Sequence, residues 1–160
     1  MEKEKKEPIY AIIYARVASD GETSQTSVER QLIECRKLAR ARGYILEKDS
    51  EYSETYSGIG NYEHRPGLHE ILQQIDKHPE RTFVLIVNDI SRISRQYEQY
   101  ESYSAALGSR GVSIESVAKA RFVEDPDKIL KRDVQTAMQR YEYNIRHQRA
   151  VEAIRQNKKD

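Results

Sequence analysis

Four arginines that could hold a phosphate group lie near predicted strand ends or at the start of a predicted helix. They are Arg16, Arg65, Arg92 and Arg95. Arg92 and Arg95 are three residues apart at a predicted helix start and therefore share one face of it. Guanidinium groups match phosphate oxygens in a bidentate manner and remain charged at any relevant pH. The residues alone indicate either a phosphate-binding rim or a set of surface ion pairs.

The elements that must position these arginines follow from the apolar pattern. Continuous apolar runs at residues 9–15 and 82–88 are typical of strands buried on both faces. Shorter strands are predicted at 44–46 and 112–117. Because strands alternate with helices, we expect an α/β fold: a mainly parallel sheet of about four to five strands, flanked by helices and followed by a long C-terminal helix. Ligands of such sheets gather at the carboxyl ends of the strands, where the arginines are expected to meet.

Three helices are predicted to flank the sheet. The first follows Ser27 as its N-cap and closes at Gly43. The second runs from Pro66 to about Lys77, and the third covers residues 97–109.

A long C-terminal helix is predicted after Pro126. Its apolar positions form one stripe, made of Leu130, Val134, Met138, Tyr141 and Ile145. About 30 residues of helix span roughly 45 Å, more than a domain of this size needs to cover its own sheet. We therefore expect the distal half to leave the body and bury its stripe against another chain. A frayed tail is the alternative.

Composition excludes several classes of protein. The chain has 160 residues, of which 38% are hydrophobic and 33% charged, enough for the core of one domain. No apolar run approaches the ~20 residues of a membrane helix, and the N-terminus does not resemble a signal peptide. The single cysteine, Cys35, excludes an intramolecular disulfide and fits a cytoplasmic location. The histidines lack the spacing of zinc ligands, so no zinc site is expected.

The charge is uneven along the chain. From Asp127 to the end there are nine Lys or Arg residues against five acidic ones, although the net charge of the whole chain is only +1. A basic end on a mildly acidic body suggests an anionic partner there, whereas a solvated helix face is the plain alternative.

Several short blocks of sequence occur in a recognisable order. They read YARV at 14–17, SVERQ at 27–31, YSG at 56–58, RPGL at 65–68 and DISRISR at 89–95. Together they resemble the serine recombinases of the resolvase/invertase family, and the last block is most like that of the large serine recombinases. The resemblance covers roughly residues 8–150.

This resemblance implies DNA strand cleavage and rejoining in site-specific recombination. In the family a serine hydroxyl attacks a DNA phosphodiester, forms a 5′-phosphoserine bond and frees a 3′-hydroxyl. Strands are exchanged within a tetramer and rejoined without a metal or nucleotide cofactor. The expected partners are therefore DNA and further copies of the chain, as a dimer and a tetramer, with no membrane involved.

The resemblance also implies roles for individual residues. The active-site arginines of the family are matched by Arg16, Arg65, Arg92 and Arg95. Positions that support the site are matched by Ser57, Asp89 and Ser91. DNA contacts along the long helix are expected at Arg140, Arg146 and Arg149.

The position of the family's nucleophile is the main departure. Counting from Arg16, it is Ala18, and a methyl group cannot attack phosphorus. Three explanations stay open: Ala18 is an engineered replacement of serine, the protein is a degenerate relative that binds DNA without cleaving it, or Ser19 takes over. Adjacent residues leaving a strand point in opposite directions, which makes Ser19 geometrically the poorest of the three explanations.

The expected organisation is one domain with an appended helix. Residues 1–8 are expected to form a disordered tail, 9–125 the catalytic domain, and 126–160 a helix for oligomerisation and DNA tracking. A separate DNA-binding domain is not recognised, so we expect a truncated form or a short relative. The functional alternatives are a catalytically inactive DNA-binding or assembly relative and, further from the motifs, a small-anion-binding regulator.

Overall fold

A four-stranded parallel sheet lies at the centre of the computed structural model, which describes residues 6–18, 22–56, 62–118 and 126–158. In chain order its strands are β1 (Ile9–Val17), β2 (Glu51–Thr55), β3 (Thr82–Val87) and β4 (Ser113–Ser116). Their spatial order is β2-β1-β3-β4, and Tyr14 of β1 pairs with Val87 where β3 ends. The expected α/β fold with a parallel sheet is confirmed.

Helices cover both faces of this sheet. They are α1 (Glu22–Arg42), α2 (Pro66–Lys77), α3 (Tyr97–Gly108) and α4 (Pro126–Asn157). A 3₁₀ helix at Ile90–Arg92, the 90–92 turn, lies between β3 and α3.

The two faces of the central strands pack against different helices. Ala11 and Ile13 of β1 belong to the core formed with α1, whereas Ile12 and Tyr14 belong to the core formed with α2 and α3. Since both faces are covered, both central strands read as continuous apolar runs. Arg16 continues the second series, because side chains alternate along a strand, and is therefore directed to the α2 side of the sheet.

Two local predictions are wrong. Residues 44–46 are not a strand but contribute a single bridge between Ile45 and Tyr10, and β2 begins only at Glu51. β2 is an edge strand that reads EYSET, so it lacks the apolar run that marks a central strand. The first helix begins at Glu22 and not after Ser27. The Ser27 hydroxyl instead lies inside this helix and accepts a hydrogen bond from the side-chain amide of Gln31.

The long helix α4 docks with its distal half, contrary to expectation. The Tyr143 hydroxyl donates to the Arg81 carbonyl (2.8 Å), and Arg146 donates to the Ser109 carbonyl (2.9 Å). His147 is buried, with Nδ1 3.1 Å from the Pro79 carbonyl.

The proximal half carries the exposed apolar stripe instead. Its members are Leu130, Val134, Met138 and Tyr141, exposed by 64, 51, 61 and 68%. Within the described ranges, no helix combines the length and the apolar character needed to cross a membrane.

We expect Gly111→Ala to destabilise the docked helix by about 2–4 kcal/mol, because a side chain at positive φ is strained and its Cβ would also displace a packed ring. Gly111 has φ +72°, and an added Cβ would overlap the Tyr143 ring. Gly43 is the matched control: it has φ +74° but nothing within 4 Å of an added Cβ. Gly43→Ala should therefore cost only about 1–2 kcal/mol. Urea unfolding of the two variants measures the difference, and equal losses would contradict the Tyr143 contact.

Candidate active site

Arg16 is fully enclosed at the carboxyl end of β1, with 1% of its surface exposed. Its three guanidinium nitrogens all donate to main-chain carbonyls. Nε bonds Arg92 (2.8 Å), Nη1 bonds Tyr56 (2.7 Å) and Nη2 bonds Ser91 (2.9 Å). The side chain therefore ties the end of β1 to the 90–92 turn.

Arg65 reaches the same turn from the start of α2. It occupies the N-cap position before Pro66 and is also only 1% exposed. Its Nη2 donates to the Arg92 carbonyl (2.8 Å) and to the Tyr14 hydroxyl, and its Nη1 donates to the Ile93 carbonyl. One carbonyl, that of Arg92, thus accepts bonds from both buried arginines.

The 90–92 turn is held in shape by its own N-cap. The Asp89 carboxylate accepts a bond from the Ser91 amide (2.9 Å), and the Asp89 carbonyl accepts one from the Arg92 amide (2.9 Å). A side-chain cap of this kind satisfies an amide that the first helical turn leaves without a partner. Asp89 therefore orients the carbonyls that receive Arg16 and Arg65.

The guanidinium groups nearer the surface belong to Arg92 and Arg95. Arg92 is half-buried, and its Nη1 donates to the Arg16 carbonyl (3.3 Å). Arg95 is exposed. Two nitrogens, Nε of Arg65 and Nε of Arg92, are buried without a hydrogen-bond partner in the described structure. Buried donors without a partner are uncommon in native proteins and often occur at strained or functional places.

Ala18 follows Arg16 by two residues, at an exposed position just beyond the end of β1. From the opposite face, α1 holds the neighbouring main chain. The buried Gln31 side chain accepts from the Arg16 amide and donates to the Arg16 carbonyl, both at 3.1 Å. The strand is therefore held at Arg16 from both sides of the sheet.

The site concentrates positive charge. Burial, and then the neighbouring Arg65, lower the pKa of Arg16 to about 10, with smaller contributions from Arg92 and Arg95. A pKa of about 10 still leaves Arg16 protonated at neutral pH. Since the carbonyls that accept from Arg16 and Arg65 carry no net charge, the cluster keeps a surplus of positive charge that favours an anion.

A tyrosine and a glutamate complete the buried network. The Tyr14 hydroxyl accepts from Arg65 and donates to Glu54 Oε2 (2.8 Å), and Glu54 Oε1 accepts from the Gly67 amide (3.4 Å). Burial above all raises the pKa of Tyr14, so it stays a neutral donor. An added Cβ at Gly67 would lie 2.5 Å from Glu54 Oε2, so a side chain there would displace the Glu54 carboxylate.

Comparison with models of known protein families gives a match over most of the chain. The model of the resolvase N-terminal domain matches residues 11–160. The chain belongs to the resolvase family. The resemblance seen in the sequence motifs is therefore confirmed, and this resolvase-family domain is placed among the serine recombinases.

Solved structures share the resolvase fold. A resolvase family site-specific recombinase from Streptococcus pneumoniae has 20% identity and a TM-score of 0.60, covering 94% of this chain and 99% of that one. The N-terminal catalytic domain of TP901-1 integrase has 18% identity and a TM-score of 0.58, covering 86% and 98%. The C-terminal catalytic domain of IS1535 TnpA, an IS607-like serine recombinase, has 26% identity and a TM-score of 0.51, covering 90% and 98%. No curated protein matches the chain significantly.

The structure of this resolvase-family domain brings most of the expected site residues together. Arg16, Arg65 and Arg92 are joined by hydrogen bonds, and Arg95 is close enough to lower the pKa of Arg16. Asp89 caps the 90–92 turn through the Ser91 amide, and the Ser91 carbonyl accepts a hydrogen bond from Arg16. Ser19 and Ser57 lie outside the described residues. No group of three or more potential metal ligands occurs among the residues that the structure describes.

The expected DNA contacts on α4 are separate from this cluster. Arg140, Arg146 and Arg149 are all exposed, but Arg146 is tied to Ser109 next to the end of α3. At 100° per residue, Arg140 and Arg149 lie on opposite sides of the helix. The three residues therefore do not form one basic face.

Sequence reasoning missed three residues of the site. Tyr14 and Gln31 stand inside the YARV and SVERQ blocks, so the motifs contained a signal for both. Glu54 had no signal, because it is one acidic residue within a polar edge strand and only its contact with Tyr14 shows its role.

Proposed function

We propose that this resolvase-family domain binds a DNA phosphodiester at the arginine cluster and serves DNA strand cleavage and rejoining through a phosphoserine link. The observation that carries the proposal is the joining of Arg16, Arg65 and Arg92 through one main-chain carbonyl beside exposed residue 18. A positively charged group next to an exposed strand end suits attack on a phosphate by a residue at that strand end.

The arginines divide the work by their burial. Arg92 and Arg95 contact the non-bridging phosphate oxygens, since they are the two less buried members. Arg16 and Arg65 act from beneath, as fixed charges and as the frame that holds the 90–92 turn. Negative charge grows on the phosphate oxygens in the transition state, and preorganised cations stabilise it there. No metal or cofactor is required in this scheme.

Position 18 determines whether bonds are broken. A serine hydroxyl there would lose its proton and form an Oγ–P bond while the P–O3′ bond breaks. The departing O3′ takes up a proton and becomes a free 3′-hydroxyl. Ala18 cannot do this, so the chain as written binds without cleaving. Its presence favours a second candidate function, that of an inactive DNA-binding or assembly relative. Ser19 is the weaker candidate for a substitute nucleophile, because adjacent residues that leave a strand are expected to point in opposite directions.

Self-association through α4 belongs to the same proposal. The stripe Leu130, Val134, Met138 and Tyr141 is exposed and repeats at helical spacing, so a second copy of the helix can cover it. Arg140 and Arg149 remain as DNA contacts on opposite sides of the helix, whereas Arg146 serves its docking.

Ala18→Ser tests the proposal. We expect the variant to form a covalent protein–DNA band on a denaturing gel when incubated with short duplexes of randomised sequence, nicked so that the cut end diffuses away. The unchanged chain should bind the same duplexes without a covalent band. DNA binding without a band from Ala18→Ser would support the inactive relative instead. A band from the unchanged chain that disappears in Ser19→Ala would make Ser19 the nucleophile.

A further inference from the structure

Helix α1 contacts both central strands where they leave the sheet. Gln31 holds the Arg16 main chain at the end of β1. Three residues later, the Glu34 carboxylate accepts a hydrogen bond from the side-chain amide of Asn88, the residue that follows β3. Residues three apart share a helix face. One face of α1 therefore spans the two strand ends on which the arginine site is built.

Asn88 connects this contact to the 90–92 turn. It directly precedes Asp89, whose carboxylate caps the turn. Its own carbonyl accepts from the Ala118 amide (2.8 Å), on the β4 side. Residue 88 is thus anchored through its main chain toward β4 and through its side chain toward α1.

We propose that Glu34 and Asn88 are positioning residues, which hold the 90–92 turn where its carbonyls receive Arg16 and Arg65. Loss of the side-chain anchor leaves residue 88 fixed from the β4 side only, and the Asp89 cap moves with it. The effect of losing the Glu34–Asn88 contact on DNA cleavage rests on the proposed function. The effect on the Arg16 hydrogen bonds is independent of that function.

A second α1 contact provides a matched control. Arg36 forms a bidentate ion pair with Glu51 (2.5 and 2.6 Å), which joins α1 to the start of β2. Glu51 pairs with Ile13, three residues before Arg16, and does not belong to the arginine network. Breaking this pair removes an α1–sheet contact of comparable kind without disturbing the end of β3.

The variants are chosen so that one can rescue the other. Asn88→Asp places a carboxylate against the Glu34 carboxylate and abolishes the hydrogen bond. Adding Glu34→Gln to it restores a bond in the reverse direction, from the glutamine amide to the new carboxylate. Glu34→Ala deletes the acceptor from the helix surface and replaces Asn88→Asp if that variant does not fold.

The first measurement is hydrogen exchange of the Arg16 Nε–H by NMR, with the signal assigned from its disappearance in Arg16→Lys. We expect Asn88→Asp to lower its protection at least about tenfold, the double variant to restore it to within about threefold, and Glu51→Gln to leave it unchanged. Unchanged protection in Asn88→Asp, or an equal loss in Glu51→Gln, would overturn the proposal.

The second measurement repeats the series in the Ala18→Ser background. We expect Asn88→Asp to slow adduct formation at saturating DNA at least about tenfold while DNA affinity changes less than about twofold, because the effect is on geometry at the reacting phosphate. Lowered Arg16 protection with an unchanged rate would refute the catalytic role. If Arg16 protection follows the expected pattern but Ala18→Ser itself forms no adduct, the proposed function fails and the positioning of the arginines stands.

Discussion

Arg92→Ala in the Ala18→Ser background should reduce formation of the covalent DNA adduct by about 10²–10⁴-fold, the range for removal of a preorganised charged donor at a reacting phosphate. Arg92 is the half-buried arginine whose Nε has no hydrogen-bond partner in the described structure. Under the proposed function the Arg92 guanidinium bonds a phosphate oxygen, whereas each of the three guanidinium nitrogens of Arg16 already donates to a main-chain carbonyl.

The fold should survive this substitution. The bonds that Arg16 and Arg65 make at residue 92 go to its carbonyl, which alanine retains. We expect circular dichroism and urea unfolding to change little, so that a loss of cleavage reports on chemistry. Arg42→Ala is the control, since Arg42 is an exposed arginine at the end of α1, 3.7 Å from Glu115. Similar cleavage by the two variants would exclude Arg92 from the role proposed for it.

Arg65→Lys should lower the free energy of unfolding by about 2–4 kcal/mol, because an ammonium cannot reach the three acceptors that the guanidinium spans and each unpaired buried group costs about 1–3 kcal/mol. Those acceptors are the carbonyls of Arg92 and Ile93 and the hydroxyl of Tyr14. The Arg92 carbonyl keeps its bond from Arg16 and the Tyr14 hydroxyl keeps its bond to Glu54, so the loss falls mainly on the Ile93 carbonyl.

The measurement uses the chain as it is, without DNA. Urea unfolding should show a lower midpoint at an unchanged slope, since the compactness of the two end states is not altered. Arg42→Lys provides the control for the charge-preserving exchange at an exposed site, where a loss below about 0.5 kcal/mol is expected. A midpoint for Arg65→Lys equal to that of Arg42→Lys would show that the buried fork does not stabilise the fold.

The sequence predicts the parts of the fold whose signal is local. β1 and β3 are recognisable because strands covered on both faces need unbroken apolar runs. The start of α2 is marked by Pro66. The edge strand β2 and the docking of α4 are not recognisable, because they depend on partners elsewhere. β2 is stabilised by pairing with β1, and α4 docks where Gly111 leaves room for Tyr143.

The same distinction holds for the site. Motif order identifies the arginines that meet, but their side chains do not reveal that carbonyls of the 90–92 turn and of Tyr56 are the partners of Arg16. Main-chain acceptors carry no residue-specific signal in a sequence. The Glu34–Asn88 contact is invisible for a related reason, since it joins residues 54 positions apart through ordinary polar side chains.

The shared carbonyl of residue 92 affects which parts of the site a point mutation can remove. A point mutation at residue 92 replaces the side chain and leaves the carbonyl oxygen in place. It therefore does not remove the acceptor that Arg16 and Arg65 share. Under the proposed function, DNA cleavage depends by contrast on one hydroxyl oxygen at residue 18. One substitution at residue 18 would therefore remove the proposed cleavage and leave the buried arginine network intact.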